Sequence, residues 1–350
     1  MNVIVLCGGL SAERDVSITS GTMVAAALRR RGHRVVLMDL FFGYPNKYGD
    51  PREIFDTVYD DGIAAVSETA PDLDAVKASR AQNNNSRMGD NILEICRAAD
   101  IVFLALHGED GEDGKIQATF DLAGIKYTGS GPLGSAIAMN KPITKQLFVQ
   151  NGIKTPTGIS INKRDPEYKN PGFPCVVKPG SRGSSVGVSI VSSPEEYRAA
   201  LELAFRYDDD VIAEQYIRGR ECDVGVLDGR ALPVIEICPK EGFYDYKNKY
   251  QKGMTDEFCP ADFPPDMTRK LQSTAEQVFG ILKLEVYARM DFIVDGDGGV
   301  WCLDANTLPG LTPISLLPQE AAVAGLSYEE LCQTIIDYSL KKYEVTDKWV

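Results

Sequence analysis

Arg289, Asp291, Asp304 and Asn306 could hold a metal ion beside a phosphate. Strand alternation puts Arg289 and Asp291 on one face of a strand, and Asp304 and Asn306 on one face of another. The turn Asp295-Gly-Asp-Gly-Gly299 makes a hairpin that brings the three oxygen ligands together. So few hard oxygen ligands suit Mg²⁺ shared with nucleotide phosphates, and a guanidinium beside them would stabilise developing negative charge. Taken alone, a solvated hairpin face is the simpler reading. Lys178 stands directly before Pro179-Gly-Ser-Arg-Gly-Ser-Ser185, whose Ser181, Ser184 and Ser185 offer hydroxyl and N–H donors to a phosphate. Glu214 and Glu221 could accept from an adenine amino group and ribose hydroxyls, or be surface carboxylates. His107-Gly-Glu-Asp-Gly-Glu-Asp-Gly114 gathers an imidazole and carboxylates in a pattern that core packing does not explain. Glu13 would suit a ligand ammonium group, with capping of the following helix as the alternative. His33 reads as an ordinary surface residue.

These residues need elements to position them. Val3–Cys7, Arg34–Leu40 and Asp100–Leu106 read as buried strands, with a helix over Ser17–Arg31, so the first part is an open parallel sheet whose ligands sit beyond the strands' carboxyl ends. Residues 41–99 read as an insertion with some helix at Asn91–Ala98. A helix at Ile143–Gln150 leads to strands from Pro156, Phe173 and Val186. The 180–187 run between the latter two reads as a mobile phosphate-binding lid. Ser193-Pro194 opens a helix to about Tyr207, followed by strands Val211–Tyr216, Cys222–Leu227 and Leu232–Ile237, the last two joined by Asp228-Gly229. Residues 241–258 read as a long functional loop. A helix at 266–282, strands at 289–294 and 300–304, and a last helix at 327–342 complete an α+β half. The division is a substrate-binding α/β domain at 1–140, a central lobe at 141–213 and a C-terminal lobe at 214–350 with the metal and nucleotide site.

The bulk properties exclude several classes. With 350 residues, 44% apolar and 25% charged, the chain is an ordinary globular protein of two or three domains. A net charge of −13 argues against a nucleic-acid partner. No apolar run is long enough for a signal peptide or membrane span, and eight scattered cysteines without a C-x-x-C pair fit reduced, buried thiols in a cytoplasm.

Together and in order, Gly8-Gly-x-Ser-x-Glu-Arg-x-Val-Ser17, His107-Gly-x-x-Gly-Glu-Asp-Gly-x-Ile-Gln117, Lys178-Pro-x-x-x-Gly-Ser-Ser-Val-Gly187 and Asn306-Thr-x-Pro-Gly-x-Thr-x-x-Ser315 closely resemble the D-alanine:D-alanine ligases of the ATP-grasp superfamily. The resemblance covers nearly the whole chain apart from 41–99 and the last few residues. It implies an α/β pre-ATP-grasp domain followed by a two-lobed α+β ATP-grasp fold. The implied reaction is ATP-dependent formation of D-alanyl-D-alanine through a D-alanyl phosphate, for peptidoglycan precursors. Glu13 would hold the first D-alanine's ammonium with His107 nearby, and Ser184 would link Glu13 to Tyr250. Lys141, Lys178 and Lys249 would contact ATP phosphates, with Ser184 and Ser185 in the same loop. Glu214 and Glu221 would bind adenine and ribose, with the adenine beside Tyr216. Asp291, Asp304 and Asn306 would hold two Mg²⁺ (or Mn²⁺) ions. Arg289 and the Gly310 N–H would stabilise the oxyanion, and Ser315 would take the second substrate's carboxylate. The family usually has Glu where this chain has Asp304, and an aliphatic residue at Met290. Tyr250 fits D-alanine as nucleophile. D-serine or D-lactate as second substrate, and a non-catalytic ATP-binding module, are the alternatives. A cytoplasmic homodimer contacting through the N-terminal domain is the implied assembly.

Overall fold

The computed structural model describes residues 1–44, 49–56, 71–80, 85–183, 186–240, 242 and 253–346. Strands β1 (Asn2–Cys7), β2 (Arg34–Asp39) and β3 (Ile101–Leu104) form a parallel sheet in the order β2-β1-β3. The central strand reads as an unbroken apolar run because both its faces are covered, and Val3–Leu6 are fully buried. The first helix, Arg14–Arg30, begins three residues before the expected Ser17. Ser17 therefore lies inside it, where its hydroxyl accepts from Gly8 N (2.8 Å) and donates to the Ala105 carbonyl (2.7 Å). That one side chain ties together the chain just beyond β1 and β3, the edge where ligands bind in such sheets.

The second sheet, antiparallel, contains β4 (Gly158–Asn162), β5 (Cys175–Pro179), β6 (Ser189–Val191) and β7 (Asp210–Gln215), in the order β4-β7-β5-β6. Helix Pro194–Ala204 covers it, opened by Ser193, which accepts from Glu196 N. The third sheet, also antiparallel, runs β11-β10-β8-β12-β13, with β9 on β8. Its strands are β8 (Gly219–Leu227), β9 (Arg230–Ala231), β10 (Ile235–Pro239), β11 (Thr255–Phe258), β12 (Tyr287–Asp295) and β13 (Val300–Asn306). Asp228 and Gly229 both have positive φ (51° and 75°), as the two-residue β8–β9 turn requires. Helix Pro265–Ile281 backs this sheet.

Several expectations change. The strand expected at 232–237 begins only at Ile235 (β10), while β9 ends at Ala231, and Pro233 between them has no N–H for a ladder. Within the 241–258 loop, Thr255–Phe258 alternates in and out and adds to the sheet edge; 241 and 243–252 lie outside the described residues. The 41–99 stretch is not detached, since Ile54, Phe55, Ile92 and Ile95 enter the N-terminal core. Lobe boundaries also follow packing more than sequence order. Phe148 of helix Lys141–Gln150 joins the core of the third sheet, and β7 carries Glu214 on the second. Leu331, Ile335 and Ile336 of the last helix, Tyr328–Thr346, pack into the N-terminal core. Among the described residues no helix is long and apolar enough to cross a membrane.

Candidate active site

Alternation along β12 buries Met290 and Phe292 and turns Arg289 and Asp291 to the opposite face, as expected. Register then builds a row of acids across three strands: Asp223 of β8 faces Asp291 of β12, which faces Asp304 of β13. A bulge follows directly, because Phe292 pairs with Cys302 and leaves Leu303 unmatched. It lets Leu303 and Asp304 line one cleft while Cys302 points to the core. Arg289 forks onto Asp291 (Nε–Oδ1 2.9 Å, Nη2–Oδ2 3.0 Å) and lies 2.8 Å from Asp223 Oδ2. Asn306 Nδ2 donates to both Asp291 oxygens (3.1 and 3.0 Å). The three expected metal ligands thus converge. Among the described residues no three His, Cys, Asp or Glu side chains are grouped to enclose an ion. Two carboxylates and an amide are a hard, incomplete donor set, which fits a divalent cation completing its shell with phosphate oxygens and water.

Lysines face these acids across the cleft. Lys178, at the end of β5, sits 2.9 Å from Glu214 Oε1 and 3.3 Å from Asp304 Oδ2. Lys145 takes the other Glu214 oxygen at 2.7 Å and donates to Thr155 Oγ1 (2.8 Å). Lys141 donates to the Arg182 carbonyl (2.9 Å) and lies 3.7 Å from Asp304 Oδ1. Burial alone would drive every one of these groups neutral. At Glu214 the Lys178 and Lys145 charges outweigh burial and hold the carboxyl below its usual value. Lys141 and Lys178 do the same for Asp304. Lys178 rises above the usual lysine value because Asp304 and Glu214 outweigh its burial, whereas burial wins at Lys145 and lowers it. Val176, Ile190, Ile293 and Leu303 make the cleft's apolar walls, with Tyr216 and Glu221 also lining it. Such a slot, with a carboxylate at its end, can take a planar base and point its phosphates at the lysines.

At the other end, Glu13 makes no side-chain capping bond to the first helix, so the capping alternative does not hold. A Cβ on Gly183 would lie 2.5 Å from its Oε2, and one on Gly108 3.0 Å. The carboxylate therefore stands where the first-sheet loops meet the 180–187 loop. His107 is 4% exposed; its Nδ1 lies 2.8 Å from the Leu308 carbonyl, which can only accept, so Nδ1 carries the proton. Nε2 then accepts from Ser20 Oγ (3.2 Å), and burial lowers the imidazole's pKa against the pull of Glu13. Ser315 precedes helix Leu316–Val323; its Oγ accepts from Thr312 N (3.1 Å), and a Cβ on Gly310 would lie 3.0 Å from it. Ser184, Ser185, Lys249 and Tyr250 lie outside the described residues. His33 contacts Gln333 of the last helix (2.6 Å).

Lys145, Asp223 and Glu320 were not singled out from the sequence, and Glu112 only as one of the carboxylates of the His107–Gly114 run. The i, i+4 spacing from Lys141 to Lys145 and the alternation Glu221-Cys-Asp223 were the available signals. Glu320 is fully buried, and both its oxygens accept from Gly225 N (3.0 and 2.9 Å), where the step from β9 to β10 leaves that N–H without a ladder partner. Burial pushes its carboxyl up to about 8, against the Gly225 N–H and Arg289. A raised folded value means the folded chain holds this proton longer than the unfolded chain, so the site costs stability as pH climbs from about 4.5 toward about 8. Glu320→Gln removes that cost. Thermal unfolding of the variant is expected to gain on the parent between pH 6 and about pH 8.5, and a constant difference would refute the assignment.

The family models described as D-ala D-ala ligase N-terminus and D-ala D-ala ligase C-terminus match residues 2–130 and 154–337. A D-alanine--D-alanine ligase of Lacticaseibacillus casei (strain BL23) is 43% identical over 347 residues, covering 98% of this chain and 97% of that protein. Another, from Pediococcus pentosaceus, is 42% identical over 352 residues, 99% of this chain and 100% of that one. The crystal structure of D-alanine--D-alanine ligase from Bacillus anthracis complexed with ATP matches with a TM-score of 0.76 at 31% identity, covering 98% and 99% of the two chains.

Proposed function

The chain belongs to the D-alanine:D-alanine ligase family, and from that premise we propose how its side chains carry out the ATP-dependent joining of two D-alanines. The observation that carries the proposal is a cleft lined by Lys141, Lys178, Asp291, Asp304 and Asn306, with Arg289 paired to its Asp291 and its Gly183 wall abutting the Glu13 carboxylate, an ammonium acceptor. A carboxylate is a poor electrophile, and phosphorylating it first turns it into an acyl phosphate.

Glu214 and Glu221 receive adenine and ribose on the apolar walls beside Tyr216. Lys141 and Lys178, which now neutralise Asp304 and Glu214, turn to the phosphates, with Lys249, Ser184 and Ser185 as further donors. Lys145 remains on Glu214 and keeps that buried carboxylate paired when Lys178 leaves it. Asp291, Asp304 and Asn306 would hold the divalent metal, taken as two Mg²⁺ or Mn²⁺ ions, and such ions would supply charge neutralisation at the transferring phosphoryl group. Glu13 orients the first D-alanine beside His107, with Ser184 and Tyr250 completing that end. The second substrate's neutral amine attacks the acyl phosphate carbonyl, and the oxyanion of the tetrahedral intermediate is met by Arg289 and the Gly310 N–H. Its collapse breaks the C–O bond and expels inorganic phosphate, which leaves with the amine's proton, and Ser315 takes the nucleophile's carboxylate. Closure of the 180–187 and 241–258 segments would exclude water, which otherwise destroys the intermediate. The proposal includes a cytoplasmic location and a homodimer through the N-terminal domain, on family resemblance.

The test is phosphate release from ATP and Mg²⁺ with D-alanine alone, then with D-serine or D-lactate added, with products identified by mass. Dipeptide from D-alanine alone supports the reading. A mixed product formed only with the added acceptor moves the second-substrate assignment, and ATP binding without phosphate release overturns the chemistry. A second expectation concerns Asp304, which lies 3.3 Å from Lys178 and 3.7 Å from Lys141. Asp304→Glu lengthens the arm by one methylene toward these cations, and turnover should hold or rise. A collapse in kcat would show that the site has adapted to the shorter side chain.

A further inference from the structure

We propose that Glu112 is a positioning residue that couples occupation of the first D-alanine site to occupation of the metal–nucleotide site; this rests on the ligase reading above. Its two oxygens serve different parts of the chain. Oε2 accepts from Gly108 N (2.9 Å), in the turn that abuts the Glu13 carboxylate. Oε1 accepts from Thr307 N (3.1 Å) and Leu308 N (2.9 Å), the two residues that follow Asn306 at the end of β13. His107 closes the same clamp, because its Nδ1–H donates to the Leu308 carbonyl at 2.8 Å. Both backbone polar groups of Leu308 are thus held by the His107–Gly114 loop.

That loop is a firm post. Gln117 Nε2 donates to the Gly111 carbonyl (2.6 Å), and Arg87 holds both Asp110 (2.5 Å) and the Leu10 carbonyl (2.8 Å). Gly108 and Asp110 adopt positive φ (69° and 68°), so the turn has a fixed shape rather than a relaxed one. Binding of a divalent ion and nucleotide at Asp304 and Asn306 would fix the 306–308 segment. Through Glu112 the same event fixes Gly108 and His107 around the place where Glu13 meets its ammonium. The energy of one binding event is thereby felt by the other, and the effect must be reciprocal.

Glu112→Gln separates this from a merely structural role. The amide oxygen satisfies the two donors at Thr307 and Leu308, which leaves the amide NH₂ against the Gly108 N–H, donor facing donor. Calorimetric titration of D-alanine, with and without Mg²⁺ and adenylyl imidodiphosphate, reads the coupling. In the parent, the nucleotide complex should tighten D-alanine by at least about fivefold. In Glu112→Gln that factor should fall to within about twofold of unity, with nucleotide affinity itself changed less than about threefold. Should that variant fail to fold, Glu112→Asp keeps the carboxyl group but is too short to serve both sides, and the same loss is expected. A variant that keeps the parent's factor overturns the proposal. So does a parent that binds both ligands with no coupling, while leaving the ligase reading intact. Failure of the parent to bind D-alanine or nucleotide at all would instead bring down that reading.

Discussion

Arg289→Lys should lower kcat by about 10²–10³-fold while ATP affinity stays within a few-fold. The substitution keeps the positive charge, so Asp223, 1% exposed, and Asp291 are not left without a cation. It removes the planar fork: an ammonium cannot reproduce the two parallel bonds to Asp291 at 2.9 and 3.0 Å together with the approach to Asp223. If Arg289 meets the oxyanion, the loss falls after phosphoryl transfer. ADP formation should then outrun dipeptide formation, because acyl phosphate that is not captured by the amine is hydrolysed. Measuring both products in one reaction gives the ratio. A ratio of one, with the loss in ATP affinity instead, would mean that Arg289 serves the nucleotide.

Asp223 shows where sequence reasoning stopped. That Glu221 and Asp223 share a face follows from alternation, and the β8–β9 turn is local. Their placement beside Asp291 depends on the register between β8 and β12, which no short motif encodes. The same holds for Glu112, which bonds to residues 195 and 196 positions away. Motifs made of one strand and its loop, such as Lys178 with the glycines after it, were legible because sequence spacing is spatial spacing there. Helix Leu316–Val323 was not, because its buried face carries Glu320 while Ala322 and Val323 are exposed, so apolar residues do not mark the side that packs. Helix Lys141–Gln150 was found, but the lobe it packs against is a choice its apolar face alone does not make.

Lys178→Met tests the cluster as a whole. The expected loss in kcat/KM for ATP is about 10²–10³-fold, the cost of removing one donor aimed at a transferring phosphoryl group. Stability should fall too, but by less than the about 3–5 kcal/mol of a fully orphaned buried charge. Lys145 still holds Glu214 at 2.7 Å, and Lys141 stays 3.7 Å from Asp304. The pH dependence carries the sign. Glu214 and Asp304 both titrate below their usual values, so their pairing stabilises the fold above the unfolded carboxylate range near pH 4 and is lost as pH falls through the depressed folded values. Without Lys178 those values move up, and acid unfolding should begin at a higher pH than in the parent. Lys178 titrates above the usual lysine value, so its own contribution is present below about pH 10.5 and is lost only as pH rises beyond it. The variant should therefore lose most on the acid side, which melting temperatures from pH 3 to 8 will register. An acid shift with unchanged ATP kinetics would make Lys178 a structural counter-ion for Glu214 and Asp304. Lost ATP kinetics together with the acid shift would mean that one side chain serves both states, neutralising the carboxylates until the phosphates arrive.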